Sequence, residues 1–412
     1  MQKKSAEALD VIEWSNFDFY DMNKKLNYFT ALLFLFNAGQ SFSQIDDLLN
    51  TALDKVNPNA IKASMTFLAD DVVEGRQPGS RGFAIASKYV ESQFISIGLQ
   101  PGIDGKSYTQ PVPFRKGVVD EKGSSLVLIT KGKKETLLLG KDFLLSPYYA
   151  SVLSEVKAPL VFVGYGVSAP ELGYDDYYAV DVKGKIVVYV NGAPASFPSN
   201  ERAYFSSSSK FTEAVERGAV GVISFSAPTD NRTSWEAAVR RSKQGGFKWV
   251  NKEGKAMGGN DELKAVVNLN PESAAKLFAS TGATLQKVLE SLKNNEQGSF
   301  DLGMEAQIKI KTTHSSVQSS NLVGVLPGTH PQRKDEYIVY VAHVDHFGKG
   351  APVKGDSIYN GAHDNASGVS ILLEIARAYR NYRAIERSIM FVVVTGEENG
   401  LLGSDYFVNN CP

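Results

Sequence analysis

The chain has 412 residues, 43% of them apolar and 22% charged, with 44 Lys and Arg against 45 Asp and Glu. So even a balance leaves no field to recruit nucleic acid or an anionic membrane, and the length exceeds one ordinary core of about 150 to 250 residues, so two folded units are expected. The single cysteine, Cys411, excludes a disulfide framework and a thiolate zinc site, and any metal would have to be held by His, Asp and Glu.

In chain order, the first feature is "MNKKLNYFTALLFLFNAGQSFSQ", which begins at Met22. Lys24 and Lys25 make a positive start, Leu26 to Phe36 an apolar run, and Ser41-Phe42-Ser43 a small-x-small cleavage site before Gln44. The run is shorter than the roughly 20 residues of a membrane span; a buried core helix is the other reading of it. The expectation is an export signal over residues 22–43, cleaved after Ser43, with residues 1–21 an extension from a misplaced start codon and a periplasmic or secreted product.

From Ile45 to Leu99 the apolar spacing is helical, with Ile45, Leu48, Leu49 and Leu53 on one face. "GRQPGSRG", residues 75–82, interrupts it and reads only as a loop. Residues 44–119 are taken as one helical part. Over residues 120–300 short β-branched runs take over, "SSLVLIT", "APLVFVGYG", "GKIVVYVNG" and "GVISFSAP", with a helical "SKFTEAVERG" before the last. This predicts a strand-rich α/β unit. Its serine cluster "FSSSSK" lacks the strand-to-helix elbow of a nucleophile and reads as a surface loop. Residues 301–412 run strand, strand, strand, helix, strand: "AQIKIKT", "NLVGVLPG", "EYIVYVAHVDH", "SGVSILLEIARAY" and "RSIMFVVVTGEE". That order implies an α/β sheet, at least partly parallel and covered by helices, with ligands gathering at the strands' carboxyl ends.

The chemistry-bearing residues sit at those ends. "YVAHVDHFG" presents His343 and Asp345, "NGAHDNASG" presents Asp364 before a helix, and "TGEENG" presents Glu397 and Glu398. One imidazole and several carboxylates suit a divalent ion, zinc foremost; a carboxylate such as Asp364 can bridge two ions, and two ions can hold a hydroxide between them. Adjacent glutamates can divide the work of hydrolysis, one fixing metal and the other moving a proton. Each residue alone has a plainer reading, a structural His, a solvated Glu pair or a helix N-cap Asp; their joint placement at successive strand ends favours the site. His346 and His363 lie near it but outside the minimum set.

The three motifs, read as "HVD", "DNASG" and "GEENGLLGS", resemble those of the M28 family of zinc-dependent exopeptidases. "FLADDVVEGRQPGSRGFAIASKYVESQFISIGLQP" is similar to that family's N-terminal segment, and "VFVGYGVSAPELGYDDYYAVDVKGKIVVYVNG" to the protease-associated (PA) domain inserted in many members. The resemblance implies a mixed, mostly parallel sheet with flanking helices, in a peptidase domain built from residues 44–119 and 301–412 around an inserted PA-like domain. It implies two zinc ions, with His343 on one, Glu398 on the other and Asp364 bridging; Glu397 as general base; Asp345 orienting His343 through its other ring nitrogen; and a cis peptide bond at Asp364-Asn365. The partner would be a peptide or protein substrate cut at one end, by an aminopeptidase or alternatively a carboxypeptidase; oligomeric state stays open. The family pattern places a further aspartate and histidine after the glutamate pair, so each metal has two of its three ligands here and the chain is expected to be a truncated form, possessing an incomplete sheet and little activity. A non-catalytic binding protein of the same fold is the reading from another class, and a one-zinc glutaminyl-cyclase-like acyltransferase a third.

Overall fold

The computed structural model describes residues 50–412 except 208, 229–233, 297 and 383–384; the expected export signal, the expected extension before it, and Ile45, Leu48 and Leu49 of the expected helical face lie outside the described residues. Helix α1, Pro58–Leu68, begins on Asn57, whose side chain accepts from the Asn59 N–H, with proline at its first position. Helix α2, Arg81–Ile97, is capped by Ser80 and stops at left-handed Gly98. These form the expected helical entry layer.

The next element, strand β1 at Thr109–Val119, was not foreseen within residues 44–119. Pro111 and Pro113 argue against a strand by composition, yet both take their place opposite Ser320 and Gln318. Strand β2 (Ser125–Thr130), β3 (Leu153–Val163), β4 (Ile186–Val190), β5 (Gly221–Phe225), helix α3 (Trp235–Ser242), and strands β6 (Gly246–Trp249) and β7 (Ala265–Leu269) follow. Then comes strand β8, Ser299–Leu326, continuous over 28 residues. Sequence patterning splits it in two, because "THSSVQSS" is polar. Antiparallel pairing with β1 from Thr312 to Leu322 carries the strand through, so tertiary pairing outweighs local composition.

Strand β8 belongs to two layers. Its first half pairs with β3 and β2, and the parallel order β3-β4-β5-β7 extends from there. Its second half pairs with β1 and with β12, Ser388–Val394, which pairs in parallel with β9, Tyr337–His343. Between β9 and β12 come the hairpin β10 (Gly348–Val353) and β11 (Asp356–Tyr359) and the helix α4 (Ser367–Asn381); helix α5, Leu402–Asn409, closes the order. The sheet is mixed, as expected, but antiparallel pairs outnumber parallel ones, because β8 runs antiparallel to each neighbour it meets.

Strand β12 is buried along its whole length, the mark of a strand covered on both faces. One face packs Phe391 and Val393 against α1, α2 and α4 through Leu68, Phe94 and Leu372. The other packs Met390, Val392 and Val394 near Phe407 of α5. A separate core of Phe162, Val188, Phe225, Val267 and Ile308 fills the β3–β7 layer. Among the described residues no helix is long and apolar enough to cross a membrane.

The β3–β7 layer also buries two charges. Lys210 is 3% exposed and donates to the Gly192 carbonyl oxygen, 4.9 Å over the Tyr189 ring. Asp176 accepts the N–H groups of Tyr165 at 2.9 Å and Val167 at 3.1 Å and the Tyr174 hydroxyl at 2.8 Å. Burial pushes the aspartate up to about 6 and the lysine down to about 7. Between about 7 and its ordinary 10.5 the folded chain therefore holds fewer protons on Lys210 than the unfolded chain, so this lysine makes folding more favourable as pH rises through that window. The gain in urea midpoint between about pH 7 and pH 9 is expected to shrink in Lys210→Met; an unchanged gain would show that Lys210 titrates normally.

Candidate metal and peptidase site

Strands β9 and β12 lie side by side, in register from Tyr337↔Ser388 to His343↔Val394, so their carboxyl ends open onto one crevice. His343 closes β9 and is buried. Its Nε2 lies 3.0 Å from Asp364 Oδ1 and 3.6 Å from Glu397 Oε2. Glu398 turns to another ring: its Oε1 is 2.5 Å from His346 Nδ1. The five expected residues thus converge on one crevice as two imidazole–carboxylate groups, and His346, outside the minimum set, has a defined partner in it. His363 is exposed.

The segment before α4 shows how Asp364 is freed. An aspartate ahead of a helix ordinarily caps it, but here the Asn365 side chain accepts the Gly368 N–H at 2.9 Å, leaving the Asp364 carboxylate to face His343. The Asp364-Asn365 peptide bond is cis. Gly361 precedes this turn at φ 60°, and a Cβ there would lie 2.5 Å from the Asp364 carbonyl oxygen and 2.7 Å from an Arg76 nitrogen, so only glycine fits.

Asp345 has no exposed surface. Its Oδ1 accepts the Glu397 N–H at 3.2 Å, while its Oδ2 has no partner. The distance from Oδ1 to His343 Nδ1 is 3.8 Å, beyond hydrogen bonding; that nitrogen is nearer the Asp345 backbone oxygen, at 3.2 Å. The carboxylate therefore holds the glutamate turn, and the backbone beside it sets the ring. Burial pushes the Asp345 carboxyl up to about 7 against the pull of His343 and two backbone N–H donors.

Two residues that sequence reading did not single out hold these pieces together. Arg76, in the "GRQPGSRG" loop, is fully buried. Its guanidinium donates to the carbonyl oxygens of Val344 at 2.7 Å, Asn360 at 2.6 Å and Gly361 at 3.0 Å, and also to that of Leu68. Its own carbonyl accepts the His346 N–H at 3.2 Å. One side chain thus pins the end of β9 to the turn carrying Asp364, and its charge acts on Asp345, Glu398 and Asp364. Asn321, also fully buried, does the same for the glutamates. It accepts from Thr395 N at 3.1 Å and donates to the Gly403 carbonyl oxygen at 2.8 Å and to Gln110 at 2.9 Å, bracketing the Glu397–Asn399 turn from both sides. An arginine directly after Gly75 in that glycine-rich loop is a weak signal for the first, since Arg81 of the same loop shares it; an Asn ahead of an apolar run offers none for the second.

Imidazole and carboxylate are the donors a borderline divalent ion takes. Among the described residues no Lys or Arg forms an ion pair with Asp364, Glu397 or Glu398, so their charge is left for a cation. The donor types fit zinc. His343 stands with Asp364 and Glu397, and apart from these His346 stands with Glu398; among the described residues no such set already has the arrangement that holds a metal ion.

Two family models match separate parts of the chain. Residues 321–412 match the model of Peptidase family M28, and residues 156–250 match that of the PA domain. The chain is 29% identical over 156 residues to Aminopeptidase NAALADL1 of Rattus norvegicus, covering 37% of this chain and 19% of that protein. It is 34% identical over 88 residues to a probable zinc metalloprotease of Pyrenophora tritici-repentis, covering 21% and 19%. The match therefore spans about a fifth of each curated relative. A solved aminopeptidase from Aneurinibacillus sp. strain AM-1 aligns with a TM-score of 0.46 at 20% identity, over 87% of this chain and 67% of that one.

Replacing Arg76 by Met would strand its carbonyl acceptors and remove the cation beside the carboxylates. Urea unfolding is expected to show a loss of about 3–5 kcal/mol, as for breaking a buried charged cluster. Asn321→Ala is expected to cost about 1–3 kcal/mol for each buried group left unpaired. A change below about 0.5 kcal/mol in either variant would contradict the positioning role.

Proposed function

Residues 321–412 of this chain belong to peptidase family M28 and residues 156–250 form a PA domain, and on that premise we propose an exported, zinc-dependent exopeptidase of the aminopeptidase kind. The observation that carries the reading is the approach of His343 Nε2 to Asp364 at 3.0 Å and to Glu397 at 3.6 Å at adjoining strand ends. Two of the relatives, an aminopeptidase and a probable zinc metalloprotease, agree with it.

In this reading His343, Asp364 and Glu398 would hold the zinc. Zinc in such a site polarises a carbonyl oxygen and lowers the pKa of water. The chain's own groups do the rest. Glu397 takes the proton of the attacking water and hands it to the departing amine; its side chain is 33% exposed, open to both. His346 fixes Glu398 through its hydrogen bond, the kind of outer contact that orients a ligating carboxylate. Asp345 holds the Glu397 backbone. Export rests on the signal-like residues 22–43.

A second reading, a non-catalytic binding protein of the same fold, is favoured by donors that stand as separate sets, His343 with Asp364 and Glu397 and His346 with Glu398. One experiment separates the two. Purified protein is expected to carry zinc, to release amino-terminal residues from a peptide at a low rate, as its incomplete ligand set implies, and to lose that activity on chelation. Glu397→Gln is expected to keep the zinc and lower kcat about 10²–10⁴-fold. Protein that carries no zinc and cleaves nothing would leave the binding reading standing.

A further inference from the structure

Next to the candidate site lies a cleft of about 220 Å³ between helix α3 and the β10–β11 hairpin. It is lined by Arg240, Arg241 and Gln244 on one side and by His346, Phe347 and Tyr359 on the other. His346 is the residue that holds Glu398, so the cleft adjoins the site. The volume falls below the roughly 300–1,000 Å³ of pockets that enclose a whole small ligand. It suits one side chain or one terminal group.

The charge of the cleft is one-sided. Among the described residues no carboxylate lines it. Arg241 is placed with its guanidinium carbon 4.7 Å over the Phe347 ring. Stacking uses the face of a guanidinium and leaves the N–H groups in its plane free for a planar acceptor. Among the described residues neither arginine has an ion-pair or hydrogen-bond partner; Glu236 acts on Arg240 only at longer range. By contrast Lys349, on the same hairpin, is already paired with Glu74 at 2.8 Å. Two cations therefore face a small cleft in which no described residue supplies an anion, and a guanidinium positioned over a ring keeps donors that can pair bidentately with a carboxylate.

We propose that this cleft is a specificity subsite for a carboxylate of the peptide substrate, supplied by an acidic side chain or by a free carboxyl terminus. The proposal rests on the peptidase reading for the word substrate, but the binding itself does not require turnover. The subsite would make acidic or very short peptides the preferred class.

The test uses the full chain and three blocked probes that an aminopeptidase cannot cut: acetyl-glutamate amide, acetyl-glutamine with a free carboxyl terminus, and acetyl-glutamine amide. Isothermal titration at low ionic strength is expected to show one of the charged probes binding at least about tenfold tighter than the neutral one, as a charge-assisted pair implies. Which charged probe wins identifies the side chain or the terminus as the source. Arg240→Gln/Arg241→Gln is expected to erase the preference while leaving circular dichroism and zinc content unchanged; Arg241→Lys, which keeps the charge and loses the fork, is expected to retain part of it. Equal binding of all three probes, or a preference that survives in the double glutamine variant, would overturn the subsite. A chain that discriminates among the probes but cleaves no peptide would retain the subsite and remove the peptidase reading.

Discussion

A guanidinium without exposed surface is costly unless its donors are met, and that of Arg76 is met almost wholly by backbone carbonyls. The consequence is geometric. Carbonyls of Val344, Asn360 and Gly361 can converge on one planar group only if the end of β9 and the turn before α4 lie together, which brings His343 and Asp364 within 3.0 Å. The arginine's charge also has no dedicated carboxylate. It is shared by Asp345, Glu398 and Asp364, which lie close enough to act on it without an ion pair. The cluster thus stays anionic on its open side and is partly compensated from behind, an arrangement suited to holding a divalent ion without collapsing in its absence.

The glutamate turn is held by a different device. Asn321 sits in β8, and β8 is common to both layers of the molecule. Its three hydrogen bonds tie the start of the turn, the helix α5 beyond it and Gln110 of β1 to one point. Strand β6 supports the same helix, since Trp249 donates to Asp405 at 2.6 Å and packs edge-on against Tyr406. Residues 246–249 are therefore in mechanical contact with the element that follows Glu397 and Glu398. The helix that supplies Arg240 and Arg241 directly precedes them, so residues 235–249 both support the site and contribute a wall beside it.

Much of this organisation is legible along the chain, and the misses have physical reasons. The helices α1, α2 and α4 and the strand β12 follow from apolar spacing, because their burial is one-sided or complete along their length; β9 follows from its apolar run although Tyr337, Ile338, Val339 and Val341 are exposed. Strand β1 is hidden by Pro111 and Pro113, and the middle of β8 by its serines and threonines, because in both the strand exists through partners remote in sequence. At the site, His343, Asp364, Glu397 and Glu398 stand out by residue type and position at strand ends. The grouping of Glu397 with His343 and of Glu398 with His346 does not, since adjacent residues in a tight turn point apart according to backbone angles that composition leaves open.

The sequence by itself determined the inventory: which residues can bind metal or carry a proton, the order of strands and helices that brings them to one end of a sheet, and the absence of thiolate chemistry. Only the tertiary structure decided how these residues are held and paired. A buried arginine with carbonyl partners, an asparagine bracketing a turn, and two arginines facing an anion-free cleft depend on contacts between residues that are hundreds of positions apart, such as Arg76 with Val344 and Gly361. Such contacts arise when the chain closes on itself, because burial makes each unpaired donor too costly to leave unmet.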